Sequence, residues 1–389
     1  MQNSVSGFDF NEEIRSLIQK VRSVKDMPSG LVEKCENLIL RLIKMIKIGN
    51  FSVEFESISE YINVVSSIPW GKYTEERLDI QLTKDELEKN HYGLDAVKTR
   101  LLEYLAVVKL QKAKEQNLQI TEIQDTQASS TKRDFYSEMS KLQGSSSHAP
   151  VLCFVGIQGV GKTSMAKSMA NALNRKFIRI ALGGLSSVNE IRGVSRTLPN
   201  AEPGQIIKAL IRAQSMNPLI LLDEIDKVSI QTGARADVMA ALLEILDPEQ
   251  NSTFVDRYID YPIDLSNCMF IATANNLGGI SAALLDRLEV IRFGSYSDQD
   301  KIMIAKNYLL PKVRTATGLT KEQLDFDEDV WPLVIRPLGF DAGVRQLERT
   351  LTELARKVAL QIVMGQTQGI KISKDNFRDF IPEDIGIYS

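Results

Sequence analysis

Gly156, Ile157, Gln158, Gly159, Val160, Gly161, Lys162 and Thr163 spell G-x-x-x-x-G-K-T, and Ser164 opens an amphipathic run behind them. These residue types suit one task, which is to surround phosphate oxygens. Glycines turn backbone N–H groups inward with no Cβ in the way. A helix N-terminus adds donors and the positive end of a dipole. Lys162 would reach the β- and γ-phosphates, and the Thr163 hydroxyl would hold Mg²⁺. Further on, the apolar run Leu219 to Leu222 ends in Asp223 and Glu224, a Walker B pattern. Asp223 would hold Mg²⁺ through water, and Glu224 would orient and deprotonate an attacking water. Alone, an apolar strand ending in Asp-Glu is often a solvated strand end. Behind a phosphate loop the pair is specific.

Three more residues could complete the chemistry. Asn275 follows the apolar run Cys268 to Ala272; its amide could hold the lytic water or the γ-phosphate, or simply make a turn. Arg287, in Leu-Leu-Asp-Arg, is either one half of a surface ion pair or an always-charged fork completing a neighbouring subunit's site. Arg345 follows Gly343 at a helix start and could reach the phosphates from a lid; as a solvated helix charge it would do nothing.

The elements that must position these groups are legible from hydrophobic runs. Val151–Val155, Phe177–Ala181, Leu219–Leu222, Cys268–Ala272 and Val290–Phe293 read as strands separated by helical patterns. Continuous apolar strands between helices imply a parallel sheet covered on both faces, with ligands at the strand C-terminal ends. The acids would then arrive beside the phosphate loop.

The rest of the chain brackets this α/β segment, taken as residues 150–296. Residues 1–68 read as a helical stem, with Leu31, Cys35, Leu38, Leu42 and Met45 at three- and four-residue steps. That spacing favours a small bundle over a projecting arm. Residues 69–114 carry Thr83-x-x-Glu86, a capping-box pattern, and a helix from Asp95 to about Lys112. Residues 115–149 turn polar and read as a mobile surface insertion. From 297 to 389 a mostly helical domain is expected, with caps at Ser297-x-x-Asp300 and Thr320-x-x-Gln323, a break at Gly339–Gly343 and one short strand at Ile370–Ile372.

Bulk properties exclude several classes. A chain of 389 residues, 43% hydrophobic and 25% charged, is long enough for two or three packed domains. The net charge of −3 gives no general attraction for nucleic acid or an anionic membrane. No apolar run reaches membrane-spanning length, and the N-terminus lacks a signal-peptide pattern. Cys35, Cys153 and Cys268 have no metal-ligand spacing and suit a reducing compartment. A cytoplasmic or organelle-interior location is expected.

The phosphate loop, DEIDK (223–227), LLEILDPEQNSTF (242–254), MFIATAN (269–275), LLDRLEVI (284–291), LLPK (309–312) and GVRQLER (343–349) together resemble the AAA+ ATPase module of Lon-type proteases. SIPWGKYTEERLD (67–79) and HYGLDAVKTRLLEYLAV (91–107) look like that family's helical stem and adenine-pocket segment. The resemblance implies an AAA+ fold with a five-stranded parallel sheet, a helical stem before it and a small helical lid after it. It also implies ATP and Mg²⁺ as ligands, and a ring, usually a hexamer, that pulls protein substrates through its pore. By motif, Asn275 resembles sensor 1, Arg287 the arginine finger, Arg345 sensor 2, and Tyr92 with Gly93 part of the adenine pocket.

Departures from the family pattern lie away from the ATP chemistry. The chain ends at Ser389, where the resemblance would place a Ser–Lys protease domain, so peptide cleavage is not expected of it by that route. The expected function is therefore ATP-driven unfolding and translocation of unfolded or damaged proteins for a protease domain outside this chain. The alternative is a protease-free relative acting as a chaperone or remodeller. The family's pore loop reads R-T-aromatic-aliphatic-G-x-x-P-G; here Leu198 and Pro199 stand at the aromatic and aliphatic positions, and Gly193-Val-Ser-Arg196 replaces G-H-R-R.

Overall fold

The computed structural model describes residues 10–48, 52–125, 150–185, 187–228, 234–335 and 343–380. Five parallel strands form the central sheet: β1 (Val151–Val155), β2 (Phe177–Ala181), β3 (Leu219–Asp223), β4 (Met269–Ala274) and β5 (Leu288–Arg292), in the order β2-β3-β4-β1-β5. Alternation along each strand divides the core. Leu152, Phe154, Leu219, Leu221 and Ile271 pack with one set of helices, while Cys153, Ile220, Leu222 and Ala272 pack with the other. Burying each large aliphatic or aromatic side chain contributes about 1.5–3 kcal/mol, so both faces of the sheet need cover. The ladders align Val155 with Ala274 and Ala181 with Asp223. That register puts the residues after β1, β3 and β4 along one edge.

Strand positions agree with the hydrophobic runs, with ends moved by one or two residues. Asp223 is still in β3, paired with Ala181, and β4 runs on to Ala274, paired with Val155, because pairing with neighbours rather than apolarity sets where a strand stops.

The described N-terminal region begins with α1 (Phe10–Ser23), α2 (Ser29–Ile48) and α3 (Ser52–Ser67). Leu31, Cys35 and Leu42 are buried as their spacing predicts, with Ile39 beside them. Their core continues into that of the sheet's underside. Tyr61 Oη donates to the Ile259 carbonyl (2.9 Å), and Lys34 pairs with Asp260 (2.7 Å).

α4 (Ile80–Asn90) and α5 (Asp95–Asp125) cover the opposite face, with Leu87, Val97, Leu101 and Leu105 against the sheet. The α4 cap differs from the expected box. Asp79 is the cap, accepting from Leu82 N (3.0 Å), and Thr83 sits inside the first turn with its hydroxyl on the Asp79 carbonyl. A carboxylate already at the start leaves the threonine pattern redundant. α5 also runs on to Asp125, into the stretch expected to be an insertion. Neither Pro nor Gly interrupts it from Asp95 to Asp125, so nothing local stops the helix. Residues 126–149, the remainder of that stretch, lie outside the described residues.

After the sheet, Ser297 and Asp300 close the expected capping box on α6 (Asp298–Ile304). The helix passes through a π-turn at Ala305–Leu309 into α7 (Leu310–Thr317). Thr320 and Gln323 also exchange their box hydrogen bonds (2.9 and 3.3 Å), but around a turn that feeds β6 (Leu324–Phe326) rather than a helix. β6 pairs in parallel with β7 (Ile370–Ile372), the expected short strand. α8 (Arg345–Val363) packs Leu347, Leu351, Leu354 and Val358 into a separate core around Trp331. The expected break at Gly339–Gly343 lies, apart from Gly343, outside the described residues. Among those residues no helix is long and apolar enough to cross a membrane.

Candidate active site

The loop after β1 takes the shape its glycines allow. Gly159 and Gly161 have φ of 84° and 95°, left-handed values that suit glycine. Gly156 is needed for space: a Cβ there would meet the Phe293 carbonyl oxygen at 2.6 Å. Gly161 caps the helix that follows, Lys162–Ala172, so several free N–H groups face one concavity. Lys162 Nζ lies across the mouth, donating to the carbonyls of Gly156 and Ile157 (3.0 Å for the latter) and to Asn275 Oδ1 (3.2 Å). Burial pulls this ammonium down from its ordinary value, against the attraction of Asp223, Asp226 and Glu224. A polyphosphate in the cradle would give the cation an anionic partner.

The two acids stand at the end of β3, as their position predicts. Asp223 is buried; its Oδ2 accepts from Arg179 Nε and pairs with Nη2 (both 2.6 Å), and its Oδ1 accepts from the Thr273 hydroxyl. Glu224 leaves the strand with φ of 59°, its N–H donating to Thr273 Oγ1 (3.0 Å). Lys227 pairs with Glu224 Oε1 at 2.7 Å. Asp226 accepts from the N–H groups of Asn275 (3.1 Å) and Asn276 (3.3 Å), which ties the end of β4 to the turn after β3. The Thr163 hydroxyl and the carboxylates form an oxygen-only donor set, the kind Mg²⁺ takes with phosphate and water.

The helical domain closes the site from above. Val344 N donates to the Gly159 carbonyl (3.1 Å), and Tyr296 Oη donates to that of Val160 (3.0 Å). A Cβ at Gly343 would lie 2.6 Å from the Gln158 oxygen, so the lid approaches the loop only because that residue is glycine. The result is a cleft of about 730 Å³ between sheet and lid. Tyr92, Gln158, Gly159, Gly161, Lys162, Thr163, Ser164, Asp223, Glu224, Asn275 and Arg345 all line it. Gly156, Ile157 and Val160 shape the loop from behind, and Gly93 lies beside Tyr92 without lining the cleft. Arg287 stands outside it, paired with Asp247 (3.1 Å). Leu198 and Pro199 belong to a separate exposed loop.

Sequence reading missed Arg179, Thr273, His91, Tyr296 and Tyr308. Four of these line the cleft, and Thr273 lies buried beneath it. His91 offered a signal only in being next to Tyr92. It is buried, with Nε2 2.9 Å from Ser168 Oγ. Burial, with the Lys98 ammonium adding to it, pushes the imidazole down from 6.5 to about 4. The fold therefore holds His91 neutral, while the unfolded chain takes a proton as the pH drops below 6.5. Stability tied to His91 is complete above that value and is lost as pH falls toward 4, by up to about 3 kcal/mol. Urea unfolding of the parent and His91→Gln at about pH 7 and about pH 5 checks this. The variant should lose less stability over the interval, and equal losses would refute the assignment.

A parallel sheet ordered in this way, a phosphate loop at the end of β1, paired acids at the end of β3 with β4 between the two strands, and a helical lid define an AAA+ ATPase. The comparisons agree: residues 152–296 match the ATPase family associated with various cellular activities (AAA), and residues 315–371 match the Lon protease AAA+ ATPase lid domain. The chain belongs to the Lon-type AAA+ ATPases, which are ATP hydrolases. It is 42% identical to the Lon protease of Desulforamulus reducens over 91% of this chain and 39% of that protein. It is 39% identical to the mitochondrial Lon protease homolog of Homo sapiens over 96% of this chain and 37% of that protein. The chain thus spans about two fifths of the length of these relatives.

Proposed function

We propose that this chain binds ATP with Mg²⁺ and hydrolyses it to unfold and translocate protein substrates, as the motor of a Lon-like protease. The observation that carries this is the meeting of Lys162, Asp223, Glu224, Asn275 and Arg345 on one cleft between sheet and lid. Bound ATP–Mg²⁺ supplies the phosphoanhydride bond and neutralises charge at its oxygens. Thr163 would hold the metal directly and Asp223 through water. Lys162 exchanges its carbonyl contacts for phosphate, Glu224 takes the proton from the attacking water, and Asn275 orients that water. Arg345 couples the lid to nucleotide, and Tyr92 contacts the base. The working form is a ring of identical subunits, with Arg287 serving a neighbour's site. Free cysteines, two of them buried, fit the cytoplasm or an organelle matrix.

The loop at 193–204 is the candidate gripping element. Its neck is closed by Val194 N on the Glu202 carbonyl (2.9 Å) and by Gly204 N on Asp256 Oδ2 (2.8 Å). Leu198 at its tip is 57% exposed. Leucine offers less contact area to a threaded chain than an aromatic ring does, and Pro199 fixes φ and removes a backbone donor. The protein should therefore work on loosely structured clients better than on stable folds. ATP-dependent unfolding of a stable fluorescent protein, with ATPase measured alongside, is the test. Leu198→Tyr/Pro199→Val should unfold more substrate per ATP than the parent. If the parent already matches the variant, the loop is not limiting. If neither couples hydrolysis to unfolding, the motor reading fails.

A further inference from the structure

Thr273 lies at the centre of the catalytic acids, and the proposed roles of Asp223 and Glu224 assign it nothing. It is fully buried on β4, where pairing of Leu222 with Ala272 brings it alongside Asp223. As a β-branched residue in a central strand, threonine could serve as packing alone. Its hydroxyl says more. Oγ1 lies 3.0 Å from Glu224 N and within hydrogen-bond distance of Asp223 Oδ1. A backbone N–H can only donate, so the hydroxyl accepts there and its single proton goes to the carboxylate. Both directions are fixed, and one atom joins the side chain of the first acid to the backbone of the second.

That link matters because Glu224 turns abruptly. Its φ of 59° is a left-handed value that non-glycine residues adopt only when surroundings hold them there. The strand ends at Asp223, and the turn at Glu224 leaves its side chain lining the cleft. Thr273 supplies the acceptor that the ladder no longer provides. The opposite side of Asp223 is held by Arg179 at 2.6 Å, so the carboxylate is clamped between strands β2 and β4.

We infer that Thr273 is a positioning residue for ATP hydrolysis, its hydroxyl fixing the Asp223 carboxylate and the Glu224 turn relative to one another. The inference rests on Glu224 being the base. Thr273→Val keeps the shape and removes the hydroxyl; Thr273→Ser keeps the hydroxyl and removes the methyl. In Thr273→Val, kcat should fall about ten- to a hundredfold, while KM for ATP and the affinity for a fluorescent ADP analogue stay within about twofold of the parent. Thr273→Ser should recover most of kcat. In the nucleotide-free protein, amide hydrogen exchange in the peptide 219–227 should quicken for valine and not for serine.

A packing role predicts the reverse, with valine harmless and serine impaired. Parent-like kcat in a folded Thr273→Val protein, or serine as slow as valine, overturns the inference. Glu224→Gln run in parallel separates the two layers. If Glu224→Gln still turns over, the base assignment itself has failed and this inference goes with it. If Glu224→Gln is inactive and Thr273→Val is not, only the role of Thr273 is lost.

Discussion

Glu224→Gln is expected to bind ATP as the parent does while its turnover falls by ~10²–10⁴. The substitution keeps the length and branching of the side chain, and a glutamine carbonyl can still accept the contact that Lys227 makes with Oε1 (2.7 Å). The backbone at this position, held by Thr273 (3.0 Å), has no reason to move. What disappears is the capacity to take a proton from water, worth about 3–5 kcal/mol of barrier. Binding should survive because the phosphate cradle is built from Gly159, Gly161 and Lys162, none of which touches Oε1. Titration with a fluorescent nucleotide and steady-state phosphate release measure the two properties separately. Hydrolysis near the parent rate would show that another group is the base.

Much of this arrangement is legible in the sequence. Five apolar runs gave five strands, since a parallel sheet buried on both faces tolerates little else. Gly156 to Thr163 carried their own context of strand, loop and helix. Contacts that depend on register were not legible. Arg179 sits on edge strand β2 as an outward charge of ordinary appearance. It reaches Asp223 only because Ala181 pairs with Asp223 and places Arg179 two residues back on the same face. Thr273 in a strand looks like packing until Glu224 is seen to leave the ladder beside it. Gly343 read as a helix breaker, whereas the fold uses it for close approach of lid to phosphate loop.

Local signals failed where a competing local group was stronger or the following element was different. Asp79 took the cap that Thr83 was expected to provide. The box at Thr320 and Gln323 formed in full and still led into a strand, because Leu324 and Phe326 find a partner in Ile370–Ile372. A cap specifies a turn; tertiary pairing decides what comes after it.

The largest expected effect belongs to Arg287. It immediately precedes β5, and its carbonyl accepts from Val151 N (3.2 Å) at the start of β1. The phosphate loop begins at the other end of that five-residue strand, about 16 Å away at 3.3 Å per residue. Arg287 therefore cannot serve the nucleotide bound to its own subunit. Its guanidinium is 45% exposed and held outward by Asp247, which is only 4% exposed. Asp247 also accepts from Glu249 N and Gln250 Nε2 (both 3.0 Å), so the anchor is itself fixed. An outward, oriented, permanently charged fork is suited to a neighbour's active site. Arg287→Ala should keep ATP affinity and lose hydrolysis by up to ~10³–10⁵. Mixing it with Glu224→Gln should then restore some turnover, because mixed rings contain interfaces with Glu224 intact on one subunit and Arg287 on the next. Capture of untagged Glu224→Gln by affinity-tagged Arg287→Ala confirms co-assembly, and phosphate release gives the rate. Parent-like hydrolysis by Arg287→Ala, or full activity in a monomer, would end the trans assignment. Co-assembled rings with no recovered turnover would mean that the two residues do not share a site.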